Sequence, residues 1–239
     1  MILEVCANSY ESALAAEKAG AHRIELCAEL SVGGLTPSYG LIKKVLSNLN
    51  IPTYVLIRPR SGNFTYSKSE VAVMLTDIAQ CKKLGVSGIV GGALTIDQKI
   101  DQTITKQLLM ASEGMDFTFH RAFDWTPNPK IALQTLRALG VKRILSSGQE
   151  PSALVGISLL KELKTLSEGS LEIMPGGGVN VSNIQTFKEA GFKEFHASAS
   201  EKIQSLKIAP KIRINNTTEE GVITVSSEEK IRELLKKLA

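Results

Sequence analysis

The fold class predicted by this sequence is α/β: a single-domain (β/α)8 TIM barrel. Three observations predict it. Eight short β-rich runs alternate with amphipathic stretches along 239 residues, and a closed barrel typically has roughly 250. Four glycines recur about every 50 to 65 residues, each between a helical pattern and a strand. No Pro/Ser-rich linker divides the chain, so one domain spans 1–239.

The predicted strands are Ile2–Ala7, Arg23–Cys27, Thr53–Arg58, Gly88–Gly92, Asp116–Arg121, Lys142–Ser146, Leu171–Pro175 and Glu194–Ser198. Helical periodicity fills the gaps. Val71, Met74, Leu75, Ile78, Cys81 and Leu84 form one buried stripe at i, i+3, i+4 spacing. Strands that alternate with helices argue for parallel βαβ units, and a right-handed crossover repeated eight times closes a barrel. In AGAHRIEL, LGVSGIV, LGVKRIL and AGFKEFH the glycines Gly20, Gly85, Gly140 and Gly191 read as left-handed helix stops. They mark four double units.

After the eighth strand the pattern loosens. Residues 200–225 read as irregular, with Val222–Val225 as a short extension. Ser226 with Glu229 three residues later predicts a capping box that opens a C-terminal helix, 226–238.

Composition narrows the function classes. The chain is 43% hydrophobic but only 5% aromatic, so its core is aliphatic. Net charge is +4, and the basic residues are scattered without interleaved aromatics. That pattern argues against nucleic-acid binding. The opening run MILEVCA lacks a basic flank and is too short for a signal sequence. No window is long enough to span a bilayer, so no membrane partner is expected. Three irregularly spaced cysteines do not make a disulfide framework. A reducing, cytoplasmic location is expected.

Barrel interiors are usually filled by branched apolar side chains, so charged residues on strand faces need a reason. Strand parity sets Glu4, Glu25, Arg58, His120 and His196 on inner faces near the carboxyl ends, with Thr118 and Ser198 beside the histidines. Such a cluster is either a buried ion-pair network or a functional site. Desolvation makes buried networks weak stability devices, which favours the site.

The loops add an anion-binding pattern. Arg58-Pro-Arg60 leaves the third strand as a stiff pair of guanidinium forks. Met174-Pro-Gly-Gly-Gly follows the seventh strand, so the amides of Gly177 and Gly178 can converge on a ligand oxygen, with Asn180 capping the next helix. Ser147 lies in a similar turn after strand six.

A sharper repeat is Leu3-Glu-Val-Cys-Ala7, which returns as Ile24-Glu-Leu-Cys-Ala28. Cys6 and Cys27 then share a face on adjacent strands about 4.8 Å apart. Two thiolates suit soft Cu(I), whereas zinc wants about four converging ligands. The alternative is that both cysteines only pack. Cys81 belongs to the helical stripe, and His22 precedes its strand at the opposite barrel end.

Taken together, LEVCANS, GAHRIELCAEL, GGLTPSYG, IRPRSGNFTYS, TFHRAFD, ILSSGQ, MPGGGV and FHASAS resemble the CutC family, named for copper homeostasis. The likeness runs from Ile2 to about Ser200. It implies a cytoplasmic TIM barrel that forms homo-oligomers, here a dimer, and binds copper through Cys6 and Cys27. His22 replaces the usual Asp of the family's GADRIEL pattern, and beyond Ser200 only Arg213 and Asn215 match.

Two readings follow. In one, the chain buffers or moves Cu(I), held by Cys6 and Cys27. In the other it is an enzyme acting on a small anionic substrate, such as a phosphorylated one. Glu25 or Glu4 would then be the base and His120 the acid. Arg58 with Gly177 and Gly178 would hold the anion, and Arg60, Ser147, His196 and Ser198 would complete the ligand contacts. No strand ends in Lys, which argues against Schiff-base chemistry.

Overall fold

The computed structural model describes residues 1–208, 210–212 and 220–239. Eight strands carry the architecture: β1 (Ile2–Ala7), β2 (Arg23–Leu26), β3 (Thr53–Leu56), β4 (Gly88–Gly91), β5 (Asp116–Phe119), β6 (Arg143–Ser146), β7 (Glu172–Pro175) and β8 (Glu194–Ala197). All are parallel to their neighbours, in the order β7-β6-β5-β4-β3-β2-β1-β8. β7 also lies against β8, so the sheet curls into a nearly closed barrel.

The helices are α1 (Tyr10–Ala19), α2 (Tyr39–Asn48), α3 (Lys68–Leu84), α4 (Gln102–Ala111), α5 (Pro129–Ala138), α6 (Ile157–Leu166), α7 (Ile184–Glu189) and α8 (Glu228–Leu238). One follows each barrel strand. α3 opens with a capping box between Ser67 and Glu70 and buries Val71, Met74, Ile78 and Cys81, four members of the predicted stripe. Gly20, Gly85, Gly140 and Gly191 have φ of +87°, +81°, +83° and +79°, the left-handed stop that L side chains resist.

The tail differs from expectation. Its described part is not simply irregular: β9 (Ser200–Gln204) and β10 (Val222–Ser226) form an antiparallel hairpin inserted between β8 and α8. Arg213 and Asn215 lie outside the described residues. The Ser226–Glu229 capping box is not made. Ser226 ends β10 and donates its hydroxyl to the Cys6 carbonyl at 3.2 Å, and Ser227 precedes the helix without a side-chain cap. α8 packs on α1 and α7, which makes it the eighth barrel helix.

Strand alternation divides the core in two. Leu3, Val5, Ile24, Leu26, Val55, Ile89, Phe119, Ile144, Ile173 and Phe195 face the helices in one apolar layer. Cys6, Cys27, Tyr54, Leu56 and Val90 form a separate cluster inside the barrel. No helix among the described residues is long and apolar enough to cross a membrane.

Candidate functional site

Register builds the site from its floor. Glu4 on β1 stands opposite Arg23 on β2 and His196 on β8. Its carboxylate accepts from Arg23 Nε at 2.5 Å and pairs with His196 Nδ1 at 2.8 Å. Arg23 also reaches Glu194 at 2.5 Å, and Arg143 reaches the same carboxylate at 2.5 Å. Both guanidinium groups lie over the Tyr54 ring, whose hydroxyl donates to Asp116. The amino end of the barrel is therefore closed by a charged and hydrogen-bonded plug.

Sequence reasoning missed Arg23, Arg143 and Glu194. The signal was available, because Arg23 shares parity with Glu25 and Glu194 shares it with His196. The plug places Glu4 below the cavity, fully buried and not among its lining residues. Burial alone would raise Glu4, but Arg23 and His196 override it and hold the carboxyl at about 2. Glu4 is thus a fixed anion and not a base within reach of a substrate.

One layer up, Cys6 is in register with Glu25, and its sulfur lies 3.6 Å from that of Cys27. His196 reaches both carboxylates, with Glu25 at 3.5 Å, and is hydrogen-bonded to Cys6. Burial would lower the imidazole, yet the Cys6 and Glu4 hydrogen bonds and the Glu25 charge hold it well above its usual value. Burial drives Glu25 up to about 7 against the pull of the His196 charge. The Cys27 hydrogen bond, then burial, push the Cys6 thiol well above its ordinary range. Glu4, Glu25 and His196 also bring three potential metal-ligand atoms within 4.8 Å of one another.

A cavity of about 200 Å³ opens above this layer at the strand carboxyl ends. Cys6, Glu25, Cys27, His120, His196 and Ser198 line it, with Gly177 and Gly178 at its rim. The predicted anion holders divide. Arg58 lines the cavity, but its Nη1 donates to the carbonyls of Val32 and Gly34 at 2.7 and 2.9 Å, and its Nη2 to Gly62 at 3.2 Å. Its fork therefore ties loops together. Arg60 lies away from the cavity, paired with Glu70 at 2.5 Å and stacked on Tyr66.

Ser147 is also outside the cavity lining. Its amide and hydroxyl both bind the Asp124 carboxylate, which also accepts from the Ser146 hydroxyl and the Gln149 amide. The nest after β6 is filled by the protein's own anion, supplied by the TFHRAFD segment. Asn180 does not cap α7: Asn183 precedes the helix, and its side chain accepts from the Asn180 amide at 2.8 Å. The cation at the rim is Arg121, another residue that sequence parity did not single out. It binds Asp124 and Ser147 and lies against Gly177. His22 is exposed at the far end, where it accepts from the Leu3 amide.

Fold and site together define a (β/α)8 barrel with a ligand cavity of thiol, carboxyl and imidazole groups at its strand ends. The chain belongs to the CutC family, whose sequence model matches residues 1–201. A CutC family protein from Photorhabdus laumondii is 50% identical over 198 residues, which cover 83% of this chain and 79% of the relative. The human copper homeostasis protein cutC homolog is 47% identical over 199 residues, covering 83% and 73%. A solved CutC structure from Streptococcus agalactiae superposes with a TM-score of 0.78 at 38% identity, covering 83% of this chain and 98% of that one. The family match ends at the start of β9, so the hairpin lies largely beyond it.

Proposed function

We propose that this chain binds Cu(I) in the cytoplasm and buffers it or passes it on, with Cys6 and Cys27 as thiolate ligands and His196 as a third ligand. The observation that carries the reading is the 3.6 Å separation of two sulfurs on the wall of an open cavity. With metal–sulfur bonds of about 2.3 Å, that spacing subtends roughly 100° at a shared ion. A bent pair of this kind calls for a further ligand. His196 fits, because Glu4 takes its Nδ1 and leaves the other ring nitrogen for a metal, the usual outer-shell arrangement of a ligating histidine. Soft thiols select a soft ion. The human relative's name joins the family to copper homeostasis. All three cysteines are free, as a reducing compartment requires.

Anaerobic Cu(I) titration against a chromogenic chelator tests the proposal. One tight equivalent is expected in the wild type and in Cys81→Ser, since Cys81 lies on the buried face of α3, away from the cavity. Cys6→Ser and Cys27→Ser should each lose it. Equal affinity in all four proteins would leave the cysteines as packing groups.

A further inference from the structure

Copper binding leaves two polar groups of the cavity without a task. His120 follows β5, and Glu25 lies on β2, three strands away in a ring of eight, so the two residues face each other across the barrel mouth. His120 is 5% exposed, and its Nε2 has no hydrogen-bond partner among the described residues. Its Nδ1 accepts from the Ala122 amide at 3.3 Å, which places the ring proton on Nε2. Phe64 and Phe119 hold the ring at centroid distances of 4.9 and 5.9 Å. A buried N–H without an acceptor costs about 1–3 kcal/mol, so a ligand acceptor belongs there.

Glu25 is also 5% exposed, and its Oε2 has no hydrogen-bond partner among the described residues, its nearest cation being His196 Nδ1 at 3.5 Å. Both residues line the same cavity of about 200 Å³, which has room for a small molecule. At the rim, Arg121 lies beside Gly177, where an added Cβ would come within 3.2 Å of its Nη1. Gly177 and Gly178 have φ of +96° and +78°, which keeps their backbone bare against the cavity.

We propose that this cavity is also an active site that enolises a small α-hydroxycarbonyl compound with an anionic end. The Glu25 carboxylate removes the proton from the carbon beside the carbonyl. The C–H electron pair becomes a C=C bond, and the carbonyl π pair moves to oxygen. His120 Nε2–H donates to that oxygen as charge develops, and Arg121 with the Gly177–Gly178 turn holds the anionic end. The proton on Glu25 then returns to the same carbon, giving back the substrate, or goes to the former carbonyl carbon, giving the isomer; in that case His120 passes its Nε2 proton to the enolate oxygen and takes the proton of the neighbouring hydroxyl in its place. No oxidant, reductant or co-reactant is consumed. The protonation state of His120 agrees with its role. Burial, then the Arg58 charge, holds His120 at about 3, so its ring stays a neutral donor. Neither thiol takes part, but Glu25 lies 3.5 Å from His196, so the inference is tested on copper-free protein.

The test is deuterium exchange on the copper-free full chain in D2O, read by proton NMR. Dihydroxyacetone phosphate and hydroxypyruvate are the anionic probes, and dihydroxyacetone is the neutral one. At least one anionic probe should lose its α-proton signal with the wild type. The rate should fall at least ~100-fold in Glu25→Gln and roughly 100-fold in His120→Gln. Arg121→Ala should raise KM about tenfold for the anionic probe and by less for the neutral one. Far-ultraviolet circular dichroism confirms that each variant is folded. Exchange no faster than in buffer for every probe, or wild-type exchange in folded Glu25→Gln, would overturn the proposal.

Discussion

Glu4 and His196 stand opposite each other on β1 and β8, and the Glu4 carboxylate meets the imidazole Nδ1 at 2.8 Å. The same carboxylate receives Arg23 from the other side. One fully buried side chain therefore joins the structural plug to the ligand cavity.

Replacing Glu4 by Gln should expose both roles. It leaves Arg23 and His196 without their shared anion, and breaking a buried pair costs about 3–5 kcal/mol. Urea denaturation at pH 7 measures that loss. Because Glu4 also orients His196, Cu(I) affinity should drop roughly 10- to 100-fold in the folded variant. A destabilised variant with unchanged affinity would remove His196 from the ligand set.

Glu25 gives a pH dependence of unusual sign. A carboxyl at about 7 in the folded chain, against an ordinary value of 4.5, binds its proton more tightly when folded. Its contribution to stability is full below pH 4.5 and is lost as pH rises through 7. Glu25→Gln, which keeps the shape and never ionises, should therefore be more stable than the wild type at pH 8, by roughly 1–3 kcal/mol. The difference should shrink toward pH 5. Melting temperatures across that range measure it, and a constant offset would contradict the assignment.

Asp124 fills the nest after β6. Asp124→Ala leaves the Ser147 and Gln149 amides without their acceptor and should cost about 1–3 kcal/mol. Millimolar sulfate should restore part of that stability in the variant and add little to the wild type, whose own carboxylate occupies the place. Thermal melts with and without sulfate distinguish the two cases.

The raised Cys6 thiol also makes a prediction. Copper must displace its proton, so Cu(I) affinity should climb steadily from pH 6 to 9. In copper-free protein, iodoacetamide labelling of Cys6, followed by peptide mass spectrometry, should keep accelerating past pH 9, where an ordinary thiol levels off. A plateau near pH 8.5 would mean that an unshifted thiol faces the cavity.

Much of this was legible before any coordinates. All eight strands lie within the predicted runs, because short β-rich runs, four of them preceded by a glycine helix stop, are written directly into local sequence. The same alternation placed Glu25, Cys6, Cys27, His120 and His196 on inner faces, where the structure finds them around one cavity. The capping box at Ser226 went wrong for the opposite reason. The local pattern was present, but Ser226 is paired into β10 and donates to Cys6, a contact 220 residues distant in sequence.

Partnership was decided by the tertiary structure. Arg58 and Arg60 look alike in sequence, yet three loop carbonyls hold one and Glu70 holds the other, while Arg121 takes the rim. The role of a polar side chain depends on which groups reach it across the barrel and on how far burial shifts its charge. Periodicity decides which way a residue faces along its own strand. Closure of the barrel decides what it meets there: Glu4 meets two cations, Glu25 an open cavity, and His120 Nε2 no acceptor among the described residues.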